Sequence, residues 1–178
     1  MSQDTVTLYK WFWADQDEQQ EQWLRARAAE GLHLHKVAYI CGWTFKKGDP
    51  ADVAYRIDYQ SSNSPQYRDL FEDAGWECVG ASFGWHYWRK ADVNGKAEEI
   101  FTDNASKIEK YRRVLMMLAL AIMPLTLLML GPGPTNFFGA LSPISRILFS
   151  ATILLVFPIY VYGTVRLYKR IRALRKAA

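Results

Sequence analysis

Three histidines are the residues of this sequence best suited to hold a metal ion. His33 and His35 alternate along a predicted strand, so their side chains share one face of it. A zinc site needs at least three protein ligands, and His86 or a nearby carboxylate would have to supply the third. In the strand order expected for this chain, 4-1-3-2, the strands that carry the histidines lie at opposite edges of the sheet. We therefore predict no metal site and no cofactor.

The motifs of common enzyme classes give little support for catalysis. No phosphate-binding loop, CxxC pair or HExxH pair occurs in the chain. The two long apolar segments contribute only hydroxyl groups, on Thr126, Ser150, Thr152, Tyr160, Tyr162 and Thr164. Cys41 and Cys78 fall in the part that we place in the cytosol, where thiols stay reduced, and we expect both to be free. A membrane-associated enzyme is therefore the least favoured functional class.

The charge of the chain is divided between its two parts. The whole sequence has a formal charge of +4, whereas residues 1–106 sum to −6 and residues 107–178 to +10. An acidic N-terminal part is a poor partner for nucleic acid, because neutralised phosphates supply most of the affinity in such complexes. The surplus of basic residues lies instead around the apolar segments, where we expect contact with anionic lipid headgroups.

Two uncharged apolar segments, residues 114–130 and 147–165, predict a membrane hairpin. A helix rises about 1.5 Å per residue, so such segments span or nearly span a hydrocarbon core about 30 Å thick. Ser142 and Pro143 predict the N-cap and first residue of the second helix. No basic start followed by an apolar core marks the N-terminus, so we expect no cleavable signal.

Basic residues orient the predicted hairpin. Ten of them flank its two outer ends, and Arg146 alone lies in the connecting loop. Positive residues stay on the cytoplasmic side, which predicts a multi-pass protein of the inner membrane with both termini in the cytosol. The flanking residues that carry this prediction are Lys107, Lys110, Arg112, Arg113, Arg166, Lys169, Arg170 and Arg172. The predicted division is a cytosolic domain at 1–103, a connecting helix at 104–113, the hairpin at 114–166 and a basic tail at 167–178.

The cytosolic part reads as a ferredoxin-like βαββαβ sandwich, an α+β fold. The pattern predicts strands at 5–13, 32–46 and 53–59, helices at 15–29 and 65–74, and a last strand or hairpin at 77–90. A short internal repeat supports two similar halves. A helix, Gly31, a strand and Gly42-Trp43 recur as a helix, Gly75, a strand and Gly84-Trp85.

An open face of the predicted sheet supplies the candidate binding site. In the segment 53–59, Arg56 and Asp58 alternate with apolar residues that should face the helices. Lys10 and Phe12 on the neighbouring strand could join them and hold an anionic or amphiphilic ligand or a partner protein. Trp85 and Tyr87 add an aromatic patch that suits a partner, lipid headgroups or the connecting helix. The alternatives are a solvated ion pair and ordinary core and edge aromatics.

Several segments, in order, resemble a bacterial family known as domain of unknown function 2812. They are KWFW at 10–13, AAEGLHL at 28–34, YRIDY at 55–59, FEDAGWECVG at 71–80, WHYWRK at 85–90 and EIFTDNASKIEKYRR at 99–113. The resemblance implies a cytosolic domain tethered by C-terminal spans. Genes of this family sometimes accompany PadR-like transcription regulators, and the resemblance implies no catalytic residues.

These observations predict a membrane-anchored cytosolic module that binds, senses or scaffolds at the inner leaflet and is not an enzyme. A structural subunit of a membrane complex is the alternative. The lipid bilayer is one expected partner. A transcription regulator, a membrane protein and a second copy of the chain stay open as others, and direct contact with nucleic acid is not expected.

Overall fold

The protein has a mixed α/β fold. The computed structural model describes residues 4–38, 41–61, 64–91, 104–130 and 141–177, with the backbone alone for 125–130. Within these residues lie β1 (Thr5–Tyr9), α1 (Asp17–Ala29), β2 (Leu32–Ala38), β3 (Gly42–Lys47), β4 (Val53–Tyr59), α2 (Pro65–Asp73), β5 (Glu77–Ser82), β6 (Trp85–Ala91), α3 (Asn104–Leu130) and α4 (Pro143–Lys176).

Two small antiparallel sheets with the same strand order form the folded part at 4–91, which we call the sheet domain. The first sheet has the order β1-β3-β2 and the second the order β4-β6-β5. Each half of the domain is therefore a strand, a helix and a hairpin, and the hairpin's second strand pairs with both others. The two sheets lie close to each other where β2 approaches β5.

The repeat expected from the sequence is present in backbone detail. Gly31 and Gly75 follow α1 and α2 with φ of +81° and +79°, the left-handed conformation that only glycine adopts without strain. Four residues further on, at His35 and at Val79, each strand shifts register against its hairpin partner. The two halves therefore share a helix stop, a bulge and a strand order.

The predicted ferredoxin-like order is not confirmed. The expected long strand at 32–46 is two strands, since β2 ends at Ala38 and β3 begins at Gly42. The last segment is a hairpin around Gly84, which was one of its two readings. Six strands in two sheets thus replace the four-stranded order 4-1-3-2. A glycine within an extended segment is typical of both a bulge in one strand and a turn between two strands. The prediction of one continuous strand through Gly42 is wrong, because the chain turns just before this residue.

The helices α1 and α2 pack on opposite faces of the second sheet. Leu24 and Ala28 of α1 share a core cluster with residues of both sheets, among them Phe45 and Ile57. Phe71 of α2 instead stacks on Trp88, with ring centroids 4.3 Å apart. Both faces of the second sheet are therefore covered within the chain.

The two long helices pack against each other and against the sheet domain. The helix α3 runs without a break from Asn104 through the start of the apolar segment. The helix α4 begins where predicted, because the Ser142 side chain accepts a hydrogen bond from the Ser145 N–H and Pro143 follows as the first helical residue. Among the described residues, α4 is the one helix that is long and apolar enough to cross a membrane, judged by length and composition.

Candidate functional site at the junction of the sheet domain and the long helices

A buried ion pair joins α3 to the start of α1. The Lys110 ammonium binds the Asp17 carboxylate, and the two residues are 3 % and 5 % exposed. The Tyr111 hydroxyl donates to the other Asp17 oxygen at 2.8 Å, and Lys110 also donates to the Ile57 carbonyl at 3.2 Å. Such a pair withstands burial only when its remaining hydrogen-bonding capacity is used, as it is here.

Side chains of α1 and α3 cover the outer edge of β4. Glu21 accepts from the Ile57 N–H at 2.9 Å, Lys110 donates to the carbonyl of the same residue, and Arg113 donates to the Tyr59 carbonyl at 3.0 Å. An uncovered edge strand would offer unpaired backbone groups to another chain. The long helix therefore takes the place that a further strand would occupy.

A second buried carboxylate connects α3 to the face that carries α2. Arg113 lies 3.4 Å from Asp58, which is 2 % exposed and also accepts from the Tyr67 hydroxyl at 3.0 Å. Trp88 in turn donates to the Tyr67 oxygen at 3.2 Å. Burial raises the pKa of Asp58, and the charges of Arg113 and Lys110 oppose that rise.

The helix α4 is tied to the same end of the sheet domain. Arg166 donates two hydrogen bonds, at 3.0 and 2.9 Å, to one oxygen of Asp15. One turn later, Arg170 donates to Glu18 at 2.6 Å, and Lys107 of α3 lies 4.0 Å from the same residue. Both long helices thus place basic side chains on the acidic segment that begins α1.

These contacts change the interpretation of the basic flanks. We call the acidic residues of this segment, together with Asp58 of β4 and the basic partners of all four, the junction cluster: Asp15, Asp17, Glu18 and Asp58 with Lys107, Lys110, Arg113, Arg166 and Arg170. Five of the predicted headgroup-binding residues are therefore held by the sheet domain. The others remain at the surface: Arg112 pairs with Glu109 of its own helix, and Lys169 and Arg172 are exposed.

An aromatic cavity lies next to the junction cluster. It has a volume of about 620 Å³ and lies between the sheet domain and the apolar parts of α3 and α4 that are nearest to that domain. Its wall from the sheet domain includes Phe12, Trp13, Trp43, Trp85 and Tyr87. We call it the junction cavity.

The structure divides the predicted binding residues into two groups. Phe12, Trp85 and Tyr87 come together in the junction cavity. Arg56 instead pairs with Glu21 at 3.4 Å and lies over Trp76, while Asp58 belongs to the junction cluster.

Lys10 lies elsewhere, with its ammonium 4.9 Å from the Phe12 ring centre and 5.1 Å from that of Trp23. The expected trio of Lys10, Arg56 and Asp58 on an open face is therefore wrong. One reason is that Lys10 follows β1 of the first sheet, whereas Arg56 and Asp58 lie on β4 of the second. The other is that α2 covers the face that a ferredoxin-like sandwich would leave bare.

One catalytic motif escaped the sequence reasoning. Residues 80–84, Gly-Ala-Ser-Phe-Gly, match the pattern GxSxG of a nucleophile elbow, which joins a strand to a helix. Here the segment joins β5 to β6 as a tight turn, with Phe83 and Gly84 at positive φ. Ser82 pairs with Trp85 in the register, so His86 projects from the opposite face of β6. The motif thus lacks the strand-to-helix context of a nucleophile elbow, and His86 is not on the side of Ser82.

His33 and His86 have separate surroundings. His33 contacts the Asp49 carbonyl at 2.8 Å, and His86 is buried beside the Tyr67 ring. Burial lowers the pKa of His86. Within the described residues, no group of three or more His, Cys, Asp or Glu side chains is placed to hold a metal ion.

The sequence reasoning did not single out Asp15, Asp17 and Glu21. Asp15 and Asp17 lie at the start of a predicted helix, where acids commonly interact with the helix dipole and stay exposed, and Glu21 lies one turn later. One signal was present in the sequence: the buried stripe of α1 is polar at Asp17 and Gln20 before it becomes apolar at Leu24 and Ala28. A stripe of that kind indicates a polar contact with another element.

Fold and junction together define the class of protein: a two-sheet α/β domain, ion-paired to two long helices, one of which could cross a membrane. The chain belongs to the family described as Protein of unknown function (DUF2812), whose model matches residues 16–123. That match runs from just before α1 into α3, so it includes the acidic start of α1 and its partners on α3. No curated protein and no solved structure gives a significant match to the chain.

Proposed function

We propose that this protein is a membrane-anchored cytosolic binding module, in which α3 and α4 form a transmembrane hairpin and the sheet domain senses or scaffolds at the inner leaflet. Both termini would face the cytosol. The apolar side chains of α4 support this placement, because its most apolar window is uncovered by the rest of the chain. In water, so large an exposed apolar surface would be unfavourable.

The junction cluster is the observation that carries the proposal. A domain that merely needed an anchor could be attached by a flexible linker, which leaves its orientation free. Here, charged side chains of both helices bind one end of the sheet domain, and the Lys110–Asp17 pair is buried. A change in the tilt or spacing of the two helices would therefore move the domain or break these contacts. Such coupling is what a regulatory module at a membrane needs.

Partner recovery from cells would test the proposal. The full chain would be purified in a mild detergent as wild type, as the double variant Asp15→Asn/Glu18→Gln, and as the control Asp52→Asn/Glu72→Gln. The control removes two exposed pairs, Arg25–Asp52 and Arg68–Glu72, that lie away from the junction. We expect the junction variant to lose partners that wild type and control both retain.

Equal recovery by all three proteins would contradict the regulatory reading, because the helices would then act only as an anchor. A partner recovered at fixed stoichiometry regardless of the junction would favour the alternative, a structural subunit of a membrane complex. Mass spectrometry of the purified samples distinguishes the two results.

A further inference from the structure

In the proposed membrane placement, the junction cavity would lie at the depth where an aqueous domain meets the hydrocarbon of a bilayer. Its helical wall is formed by Met117 and Leu118 of α3 and by Ile159, Tyr160, Gly163 and Leu167 of α4. Leu118 is five residues, or about 7.5 Å along the helix axis, beyond Arg113. On α4, the cavity-lining residue Gly163 lies three residues before Arg166. The cavity therefore begins at the basic boundary and extends into the apolar part of the hairpin.

The shape and lining of the cavity suit a hydrocarbon chain. Its volume of about 620 Å³ is within the range of small-molecule sites, about 300–1,000 Å³. Trp13 closes one side, where its ring meets Tyr162 at 5.0 Å between centroids and lies against Gly163. Amphipathic aromatic side chains of this kind are typical of the membrane interface.

Two exposed aromatic side chains line the cavity. Trp11 is 50 % and Phe83 70 % exposed, and both line the cavity. Phe83 holds φ at +51°, a conformation that is costly for a non-glycine residue. The chain thus keeps a large apolar side chain at a turn position where Asn or Gly would be more stable. Such retained strain is typical of functional positions.

The polar end of the cavity offers an acceptor and no net charge. Both hydrogen bonds from Arg166 go to one oxygen of Asp15, and the other oxygen, Oδ1, is buried with no hydrogen-bond donor among the described residues. Asp17, also in the wall, is neutralised by Lys110. Within the part of the chain that the structure describes, the cations beside these two acids, Lys110 and Arg166, are already paired with them, so this end suits a hydroxyl that donates to Asp15 better than a charged head group.

We propose that the junction cavity binds a single-chain amphiphile with an uncharged, hydrogen-bond-donating head group, such as a monoacylglycerol or a long-chain alcohol. The chain lies among the aromatic side chains, and the head group donates to Oδ1 of Asp15 once the side chains that cover this buried atom move aside. This inference rests on the proposed membrane placement of α3 and α4. It deepens that proposal by naming the ligand class of the module.

Photo-crosslinking in lipid nanodiscs tests the inference. The full chain in phosphatidylcholine nanodiscs is exposed to a monooleoylglycerol analogue with a photoreactive group in its chain. We expect saturable labelling of sheet-domain peptides that contain residues 11–14 or 82–85. Unlabelled monooleoylglycerol should compete about tenfold better than methyl oleate, which has the same chain and no donor.

A matched pair of variants tests the location. Gly163→Leu adds a side chain against Trp13 inside the cavity, and Val161→Leu adds one methylene to a residue of α4 that does not line it. The first should reduce labelling of the sheet domain by about tenfold, because a filled cavity leaves no room for the chain, and the second should leave it unchanged.

Three results would overturn the inference: labelling confined to α3 and α4, equal labelling of the two variants, or equal competition by the two amphiphiles. Labelling is read on peptides of the sheet domain, so it is independent of partner recovery. Saturable labelling together with unchanged partner recovery would overturn the regulatory coupling alone.

Discussion

The buried Lys110–Asp17 pair is the residue-scale feature on which the junction depends most. Charges that leave water lose hydration energy, and their mutual attraction offsets that loss only while both are present. Asp17→Asn leaves the Lys110 ammonium buried without its counter-charge, beside the neutral Ile57 carbonyl. We expect this variant to lower the free energy of unfolding by about 3–5 kcal/mol.

Thermal unfolding of the full chain in detergent, followed by tryptophan fluorescence, measures the loss. The exposed pair Arg25–Asp52 provides the control, and Asp52→Asn should cost less than about 1 kcal/mol. The double variant Asp17→Leu/Lys110→Met should recover most of the stability, because it removes both charges together. A double variant as unstable as Asp17→Asn would show that packing, and not charge, explains the effect.

Glu21 gives the junction a dependence on pH. Burial raises its pKa from 4.5 to about 7, against the opposing charges of Arg56 and Lys110, and the negative charge of Asp17 adds to the rise. Between pH 4.5 and 7 the folded state therefore binds a proton that the unfolded state has lost. The sign follows: this carboxyl stabilises the fold at low pH, and that contribution, about 3 kcal/mol, is lost as pH rises through 7.

The variant Glu21→Gln isolates this effect. Its amide oxygen can still accept from the Ile57 N–H, but it does not ionise. We expect wild type and variant to have similar melting temperatures at pH 5, and the variant to be the more stable protein at pH 8. Parallel melting profiles from pH 5 to 8 would rule out an elevated pKa for Glu21.

At this scale the sequence identified the basic partner of each ion pair, but among the acidic partners it singled out only Asp58, and for another role. The basic residues stand out because they flank apolar segments, a pattern with a known physical cause. Their acidic partners are distant in the chain, since Asp17 and Lys110 are 93 residues apart and Asp15 and Arg166 are 151 apart. No local pattern encodes such a pairing. Only the polar start of the buried stripe on α1 indicated that these acids have another role.

At the scale of elements, the repeat was predictable because glycine punctuation is local. Gly31 and Gly75 each follow a helix, and both have the positive φ that a helix stop requires. The side of the sheet on which each helix packs was not predictable in the same way. Tyr67 and Phe71 give α2 an apolar stripe, but that stripe suits either face. The open sheet face expected from the sequence therefore depended on the ferredoxin-like fold, in which both helices pack on the same side.

The two helix stops make a matched test of the repeat. A Cβ at Gly31 would lie 2.5 Å from the Gly48 carbonyl oxygen, whereas one at Gly75 would meet only the flexible Lys90 side chain at 3.5 Å. Gly75→Ala should therefore cost about 1 kcal/mol, from backbone strain alone. Gly31→Ala should cost about 2–4 kcal/mol, because it adds a clash with backbone that must move.

Melting temperatures of the two variants, measured under the same conditions, check this expectation. Each glycine also occupies the same place relative to its bulge, so a difference between the variants reports on surroundings and not on position in the repeat. Equal losses of stability in the two variants would mean that the backbone at Gly48 can move at little cost. The close approach of Gly48 to Gly31 would then not constrain the first half of the sheet domain.

At the scale of the whole molecule, the charge division has two consequences. The attraction between the acidic part, at −6, and the basic part, at +10, favours the docking seen at the junction cluster. The same basic residues predict which side of a membrane the sheet domain occupies. Basic side chains that pair with the domain stay with it, so docking and topology favour the same arrangement.

The topology leads to a labelling prediction. The loop between the predicted spans includes residues 131–140, which lie outside the described part of the chain. A cysteine introduced by Asn136→Cys should react with a membrane-impermeant thiol reagent added to intact cells, because a loop with few basic residues is translocated. The native thiols Cys41 and Cys78 are both partly exposed in the sheet domain, so access to the compartment, and not burial, decides whether they react.

In intact cells we therefore expect labelling of the Asn136→Cys protein and none of the wild type. After the membrane is permeabilised, both proteins should be labelled, which shows that the native cysteines are reactive once reached. The variant Cys41→Ser/Cys78→Ser with Asn136→Cys removes any ambiguity about which thiol reacts. Labelling of Cys41 or Cys78 in unbroken cells would place the sheet domain outside, where positive residues are disfavoured. In that case the junction cluster would belong to a domain outside the cell membrane, and the proposal that the sheet domain acts at the inner leaflet would be wrong.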